Sequence, residues 1–235
     1  MVEIVEATLN GEFVMNLPKH RADRPEWYTK KGWEKKRLQS MHRHLGVGDT
    51  IFYVGSEEGE MPALCQMWGA EVVMFEPNDR VWPNTKAIWD SNGLKPPLAT
   101  FSGFASNRTT PGLSPVYLHG FPPSADGEVI HDHGFKEVED NDGSIPEIRL
   151  DDFVSQLKIV PTAVTMDVEG SEWEVLRGIG QVLRDYKPRL WLSLHPEFLF
   201  RKHNKYSYEV RRWLIDMGYK EELLDYQHEA HFFYQ

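Results

Sequence analysis

The feature that most limits what this chain can fold into is a set of short, almost continuous apolar runs separated by stretches of helical period. Residues 51–54 (IFYV), 72–75 (VVMF), 163–168 (AVTMDV) and 190–194 (LWLSL) are such runs. A strand with one wet face alternates in polarity, so runs this continuous belong to strands covered on both faces. Helical stretches follow at 61–69 and 81–92, and in GSEWEVLRGIGQVLRDYKP, whose Trp173, Leu176, Ile179, Leu183 and Tyr186 form one apolar stripe. Ser171 and Glu174 have the S-x-x-E spacing of a capping box, and Pro188 stops that helix. A further helix through YEVRRWLIDMG and strands near 219–224 and 230–234 complete the pattern. This rhythm predicts an α/β fold, a parallel sheet with helices on both faces. In such sheets ligands sit beyond the carboxyl ends of the strands, where the strand order reverses. YVGSEEGE, the FEPN after the second strand, the DVEG after the fourth and the SLHPE after the fifth then share one edge.

With 235 residues, 40% of them hydrophobic, the chain predicts one well-buried domain. We read residues 45–235 as that domain and 1–44 as a helical segment on the substrate side. Residues 103–149, rich in Gly, Pro, Ser, Asp and His, read as an insertion or lid. No run reaches the roughly 20 apolar residues of a membrane span, and no signal peptide opens the chain. The one cysteine, Cys65, excludes an internal disulfide and suits a reducing compartment, so a soluble cytoplasmic protein is expected. A homodimer is compatible with this reading. The net charge of −10 argues against a general nucleic-acid binder. Between Lys19 and Arg43, nine Lys/Arg stand against Asp23, Glu26 and Glu34, a local +6 that leaves −16 for the remainder. Trp27, Tyr28 and Trp33 interleave with these charges, either on a solvated helix face or as a surface for a polar acceptor.

The loop YVGSEEGE asks what ligand tolerates two carboxylates. It matches neither the G-x-G-x-x-G of dinucleotide sites nor a P-loop, which offer backbone amides to phosphate. Glu57 and Glu58 would each repel phosphate by roughly 1–4 kcal/mol at ~4 Å. A ligand bearing an ammonium and a sulfonium reverses that sign, and S-adenosylmethionine is such a ligand. Glu76 stands 21 residues after Gly55 at the end of the second strand, where a carboxylate can accept the hydroxyls of a ribose.

IFYVGSEEGEMPALCQMWGAEVVMFEPN, then IRLDDFV, then VTMDVEGSEWEVLRGIGQVLRDYKPRLWLSLHPE, resemble the FkbM family of S-adenosylmethionine-dependent methyltransferases over roughly residues 45–235. Asp167-Val168-Glu169-Gly170-Ser171-Glu172 is the most specific piece. The resemblance implies a class I methyltransferase, Rossmann-like fold with a seven-stranded, mostly parallel sheet whose last strand is antiparallel. It also implies O-methylation of sugars, glycans or natural products. By it Gly55, Ser56 and Gly59 would carry the methionine end of the cofactor and Glu76 the ribose, while Phe104 and Ala105 would border the adenine. Tyr53 stands where the family has an acid, which leaves Glu57 or Glu58 to hold the methionine ammonium.

Methyl transfer to a hydroxyl needs an oxygen opposite the sulfur and a group to take its proton. Asp167 and Glu169 lie at a strand end near that point, and His195 follows the neighbouring strand with an ordinary pKa suited to a base at neutral pH. Glu172 and Glu174 suit a helix start. The alternative is a divalent ion on Asp167, His195 and Glu197, or on His119, His131, Asp132 and His133. Between these we expect a metal-free base. The resulting expectation is an O-methyltransferase acting on a hydroxyl of a sugar, glycolipid, polysaccharide or small natural product. Its alternatives are a nucleic-acid or N-directed methyltransferase and a non-catalytic binding protein of the same fold.

Overall fold

The computed structural model describes residues 2–24, 32, 34–112, 115–130, 141, 143–226 and 229–235. At its centre β3 (Thr50–Val54) pairs in parallel with β4 (Glu71–Glu76) on one side and with β9 (Ala163–Met166) on the other. Beyond β4 lies β5 (Ala99–Ser102), and beyond β9 lies β10 (Arg189–Leu194), both parallel. The last strand, β12 (Ala230–Tyr234), runs antiparallel between β10 and β11 (Glu221–Tyr226). These seven are the strands expected. An eighth, β7 (Val116–Leu118), comes from the 103–149 insertion and adds antiparallel to the edge at β5. Among the described residues the expectation of seven strands is corrected to eight, because the insertion hydrogen-bonds to an edge that would otherwise expose unpaired backbone. It also supplies β8 (Glu147–Ile148), parallel to β6 (Phe104–Ala105).

The two-sided cover explains the unbroken apolar runs. Phe52 and Val54 face one core with Phe75, Phe153, Leu176 and Leu192, whereas Ile51 and Tyr53 face a second core with Met74, Leu38, Met41 and Trp82. Each fully buried side chain of this kind contributes about 1.5–3 kcal/mol, so apolar residues are favoured at every position of the central strands. The first core is covered by α5 (Leu150–Leu157), α6 (Glu172–Gly178), α7 (Gly180–Asp185), α8 (Pro196–His203) and α9 (Ser207–Asp216). The second is covered by α2 (Lys35–His44), α3 (Glu60–Met67) and α4 (Trp82–Ser91). Cys65 is buried in α3.

Residues 1–44, read as helical, open instead with a hairpin of β1 (Ile4–Leu9) and β2 (Phe13–Pro18), followed by the single turn α1 (Lys19–Ala22). Asn10 and Gly11 both take positive φ at its tip, the geometry an Asn-Gly pair favours. Leu9, Met15 and Leu17 bury its inner face in the second core. Trp27, Tyr28 and Trp33 lie outside the described residues. The helix expected through residues 171–187 is two helices. Gly178 approaches the Ser106 carbonyl so closely that a Cβ there would stand 1.8 Å from it, and the helix breaks at Ile179. Tyr186 leaves the stripe and is 55% exposed. Ser171 is the N-cap of α6 but makes no side-chain cap; Glu172 Oε1 instead accepts from the Gly170 amide at 3.0 Å. Among the described residues no helix is long and apolar enough to cross a membrane.

Candidate active site

The strand order reverses between β4 and β9 on either side of β3, and the loops after β3 and β9 meet there. Asp167 donates its amide to Val54 at 3.1 Å. Gly55 has φ +78° and sits so near Asp167 that a Cβ would come within 2.0 Å of its carbonyl oxygen, so only glycine fits. Gly59, φ +94°, opens α3 and would drive a Cβ to 2.5 Å from Thr85. Ser56 is buried and its Oγ has no hydrogen-bond partner, a polar atom left for a ligand. Glu76 ends β4 and accepts from the amides of Glu57 at 3.0 Å and Asn78 at 2.9 Å. Burial raises its carboxyl to about 7 against those amides. The Glu76 carbonyl accepts from Gly103, which brings β6 beside it. Phe104 and Ala105 of β6 line a cavity of about 390 Å³ with Ser171, Glu174 and His203. A glycine cradle, an unpartnered hydroxyl and a strand-end acid fit the methionine and ribose ends of the cofactor expected from the sequence, while the lining of the cavity at Phe104 and Ala105 includes none of Gly55, Ser56, Gly59 and Glu76.

The loop glutamates have a different use from the one expected. Glu58 is 2% exposed, and its carboxylate lies 3.0 Å from Arg21 Nη1, 2.9 Å from His20 Nε2 and 2.8 Å from Asn84 Nδ2. Buried Glu60 pairs with Arg21 as well. Burial alone would raise the Glu58 carboxyl, but His20, Arg21 and Asn84 outweigh it and hold it below the usual range. Glu58 therefore ties α1 to the loop and does not offer itself to an ammonium. Glu57, at φ +46°, keeps its side chain 66% exposed and 3.7 Å from Arg21. Tyr53 is buried in the second core, where burial raises its hydroxyl well above the ordinary tyrosine value despite the Arg37 charge.

A second acidic group surrounds His195, the N-cap of α8. Its Nδ1 lies 2.7 Å from Glu172 Oε1, and its Nε2 lies 2.5 Å from Glu229 Oε2, 3.4 Å from Glu169 Oε2 and 3.6 Å from Asp167 Oδ1. Burial lowers the affinity of this ring for a proton, but Glu172, Glu229 and Asp167 reverse that and raise its pKa to about 11. His195 is thus a cation at neutral pH. The expectation of a neutral imidazole base is corrected here, because four carboxylates hold its proton. Arg37 reaches in from α2, with Nη1 3.0 Å from Asp167 Oδ2 and 2.7 Å from Glu34, and Nη2 2.8 Å from Thr165. Burial raises the Asp167 carboxyl, yet Arg37 and His195 bring it below the usual value. Glu169 has φ +47°, a strained conformation for a residue with a side chain, which costs about 1–3 kcal/mol and concentrates at functional loops.

Residues 53–221 match the profile of the methyltransferase FkbM domain. The chain belongs to the FkbM methyltransferase family. Among solved structures this FkbM chain resembles the FkbM methyltransferase of Methylobacillus flagellatus KT, with 16% identity, a TM-score of 0.51, and coverage of 80% of this chain and 43% of that one. It therefore spans less than half of that protein's length. Precorrin-6y C5,15-methyltransferase from Geobacter metallireducens GS-15 aligns at 9% identity, a TM-score of 0.48 and 88% of either chain. M. capricolum TrmK, solved with S-adenosylhomocysteine, aligns at 13% identity, a TM-score of 0.43, and 84% and 66% of the two chains. No curated protein matches the sequence.

In this FkbM domain the motif after β9 supplies Asp167, Glu169 and Glu172, but sequence reasoning missed Arg37, Glu34, Glu229 and His231. Glu229 and His231 flank the start of β12, which only the antiparallel insertion of that strand brings beside β10. Glu197 is exposed on the first turn of α8 and Glu229 takes the place expected for it. His119 is exposed, and His131, Asp132 and His133 lie outside the described residues.

Proposed function

We propose that the chain is an S-adenosylmethionine-dependent O-methyltransferase whose acceptor is a hydroxyl of a sugar, glycolipid, polysaccharide or small natural product. The observation that carries this reading is the group of carboxylates around His195, proton-accepting and charge-orienting groups set beside the Gly55 cradle. Gly55, Ser56 and Gly59 would hold the methionine end of the cofactor, Glu76 the ribose, and Phe104 and Ala105 the adenine. When bound, S-adenosylmethionine supplies a methyl group activated by its sulfonium.

The acceptor's proton is this chain's task. Asp167 is committed to Arg37, and His195 already carries a proton. Glu169 is the member most open to solvent, with 38% of its side chain exposed, and in this reading it takes the hydroxyl proton as the oxygen attacks. Imidazolium His195, 3.4 Å away, orients that carboxylate. An acidic reaction centre in a chain of net charge −10 disfavours a phosphodiester acceptor, which supports a neutral hydroxyl over nucleic acid.

Mass spectrometry of glycans and lipids from cells with and without the protein tests this. New methyl ethers that disappear with Glu169→Gln are expected; methylation confined to nucleic acid or to nitrogen would overturn the hydroxyl assignment.

A further inference from the structure

Asp167, His195 and Glu229 come from three separate segments, yet each presents one donor atom to a common point, and those atoms all lie within 4.8 Å of one another. Donors about 2.1 Å from a shared ion stand roughly 3–4 Å apart; His195 Nε2 and Asp167 Oδ1 meet this at 3.6 Å, whereas Nε2 and Glu229 Oε2 stand 2.5 Å apart across a proton that an ion would displace. The atom of each residue that faces away is held by a different neighbour. Arg37 Nη1 holds Asp167 Oδ2 at 3.0 Å, and Glu172 Oε1 holds His195 Nδ1 at 2.7 Å. His231 Nε2 stands 3.4 Å from Glu229 Oε1, and its own Nδ1 is fixed by Ser193 Oγ at 2.9 Å. Such outer contacts orient metal ligands and set the imidazole tautomer that turns Nε2 inward. His195 and Glu229 are 4% and 3% exposed, so the donors are preset by packing rather than swept from solvent.

The geometry points to a divalent-cation site formed by Asp167, His195 and Glu229, with Glu169 on its open side. Two carboxylates and one imidazole exclude the ions that need thiolates, and they suit carboxylate-binding Mn²⁺, with the imidazole as a nitrogen donor. Binding releases the Nε2 proton to solvent, since a ligating imidazole must be neutral, and the ion takes over from the imidazolium as the positive charge beside Glu169. The ion then orients and acidifies an acceptor hydroxyl beside Glu169. That use rests on the methyl-transfer reading above, whereas the binding does not.

The test is a titration of Mn²⁺ into the chelator-treated full chain without cofactor, read by electron paramagnetic resonance, with electron spin echo modulation to detect a coordinated nitrogen. One saturable Mn²⁺ per chain with ¹⁴N modulation is expected. His195→Ala removes the modulation and Glu229→Gln removes tight uptake. Glu172→Gln, which is not a ligand, weakens uptake by about 10–100-fold while keeping the nitrogen signal. Absence of saturable uptake, uptake without nitrogen coupling, or unchanged uptake in a folded Glu229→Gln overturns the site. Should these variants not fold, the nitrogen signal of the native chain decides alone. Mn²⁺ uptake by a protein that ignores S-adenosylhomocysteine would break the methyl-transfer reading and leave the ion site standing.

Discussion

Two acidic clusters lie on one edge of the sheet, and they differ in what answers their charge. In the loop after β3, buried Glu58 and Glu60 meet Arg21, with His20 and Asn84 completing the set around Glu58. In the loop after β9 and its neighbours, Asp167, Glu169, Glu172 and Glu229 crowd one imidazolium, and Arg37 is shared between Asp167 and Glu34. The first cluster is a fastening, since it locks α1 and the hairpin onto the loop after β3. The second places carboxylates and an imidazole at the strand ends, where ligands sit in such sheets. Acids inside a motif therefore do not identify a ligand until their partners are known.

The contrast is open to attack by substitution. The largest effect belongs to the second cluster: Glu169→Gln should lower turnover by about 10²–10⁴-fold with the melting temperature almost unchanged, because base catalysis is lost and packing is not. Steady-state rates beside thermal melts check this. The first cluster should behave in the opposite way. Arg21→Ala leaves two buried carboxylates without their cation, and denaturant unfolding should show a loss of about 3–5 kcal/mol. If turnover per folded molecule fell as far as stability, the fastening would be part of the chemistry.

Between the clusters, Glu76→Ala should weaken S-adenosylhomocysteine binding by roughly 1–3 kcal/mol in calorimetry, through lost charged hydrogen bonds. The smallest effect is one of pH. The folded Glu58 carboxyl titrates below its ordinary 4.5, so its stabilisation is present above that value and is lost as pH falls through the lower folded value. Stability measured against pH should therefore fall more steeply in acid for the native chain than for Glu58→Gln. Parallel curves would mean that Arg21 and His20 do not hold Glu58 ionised.

The order of the sheet was legible because short, continuous apolar runs between helical stretches suit strands buried on both faces and little else. The placement of Asp167, Glu169, Gly55 and Glu76 at strand ends was legible because each stands at or just after the end of such a run. The hairpin was also present in the sequence, as Asn10-Gly11 between IVEATL and FVMNLP, but the charge pattern further along drew the N-terminus toward a helical reading. Arg37 and Glu229 were not legible. They lie 130 and 62 positions from Asp167, and only the packing of α2 and the reversal of β12 bring them to it. Nor does the sequence disclose that the pKa of His195 is raised, since the shift arises from Asp167 and Glu172 after β9 and from Glu229 before β12.

We propose that the cradle at Gly55 serves S-adenosylmethionine chemistry. Calorimetric titration of the purified chain with S-adenosylhomocysteine, with NAD as the control, tests that directly. We predict saturable binding of S-adenosylhomocysteine and a rise in stability of about 2.7 kcal/mol at ~100 times its dissociation constant, with no response to NAD. Binding of NAD and none of S-adenosylhomocysteine would contradict it.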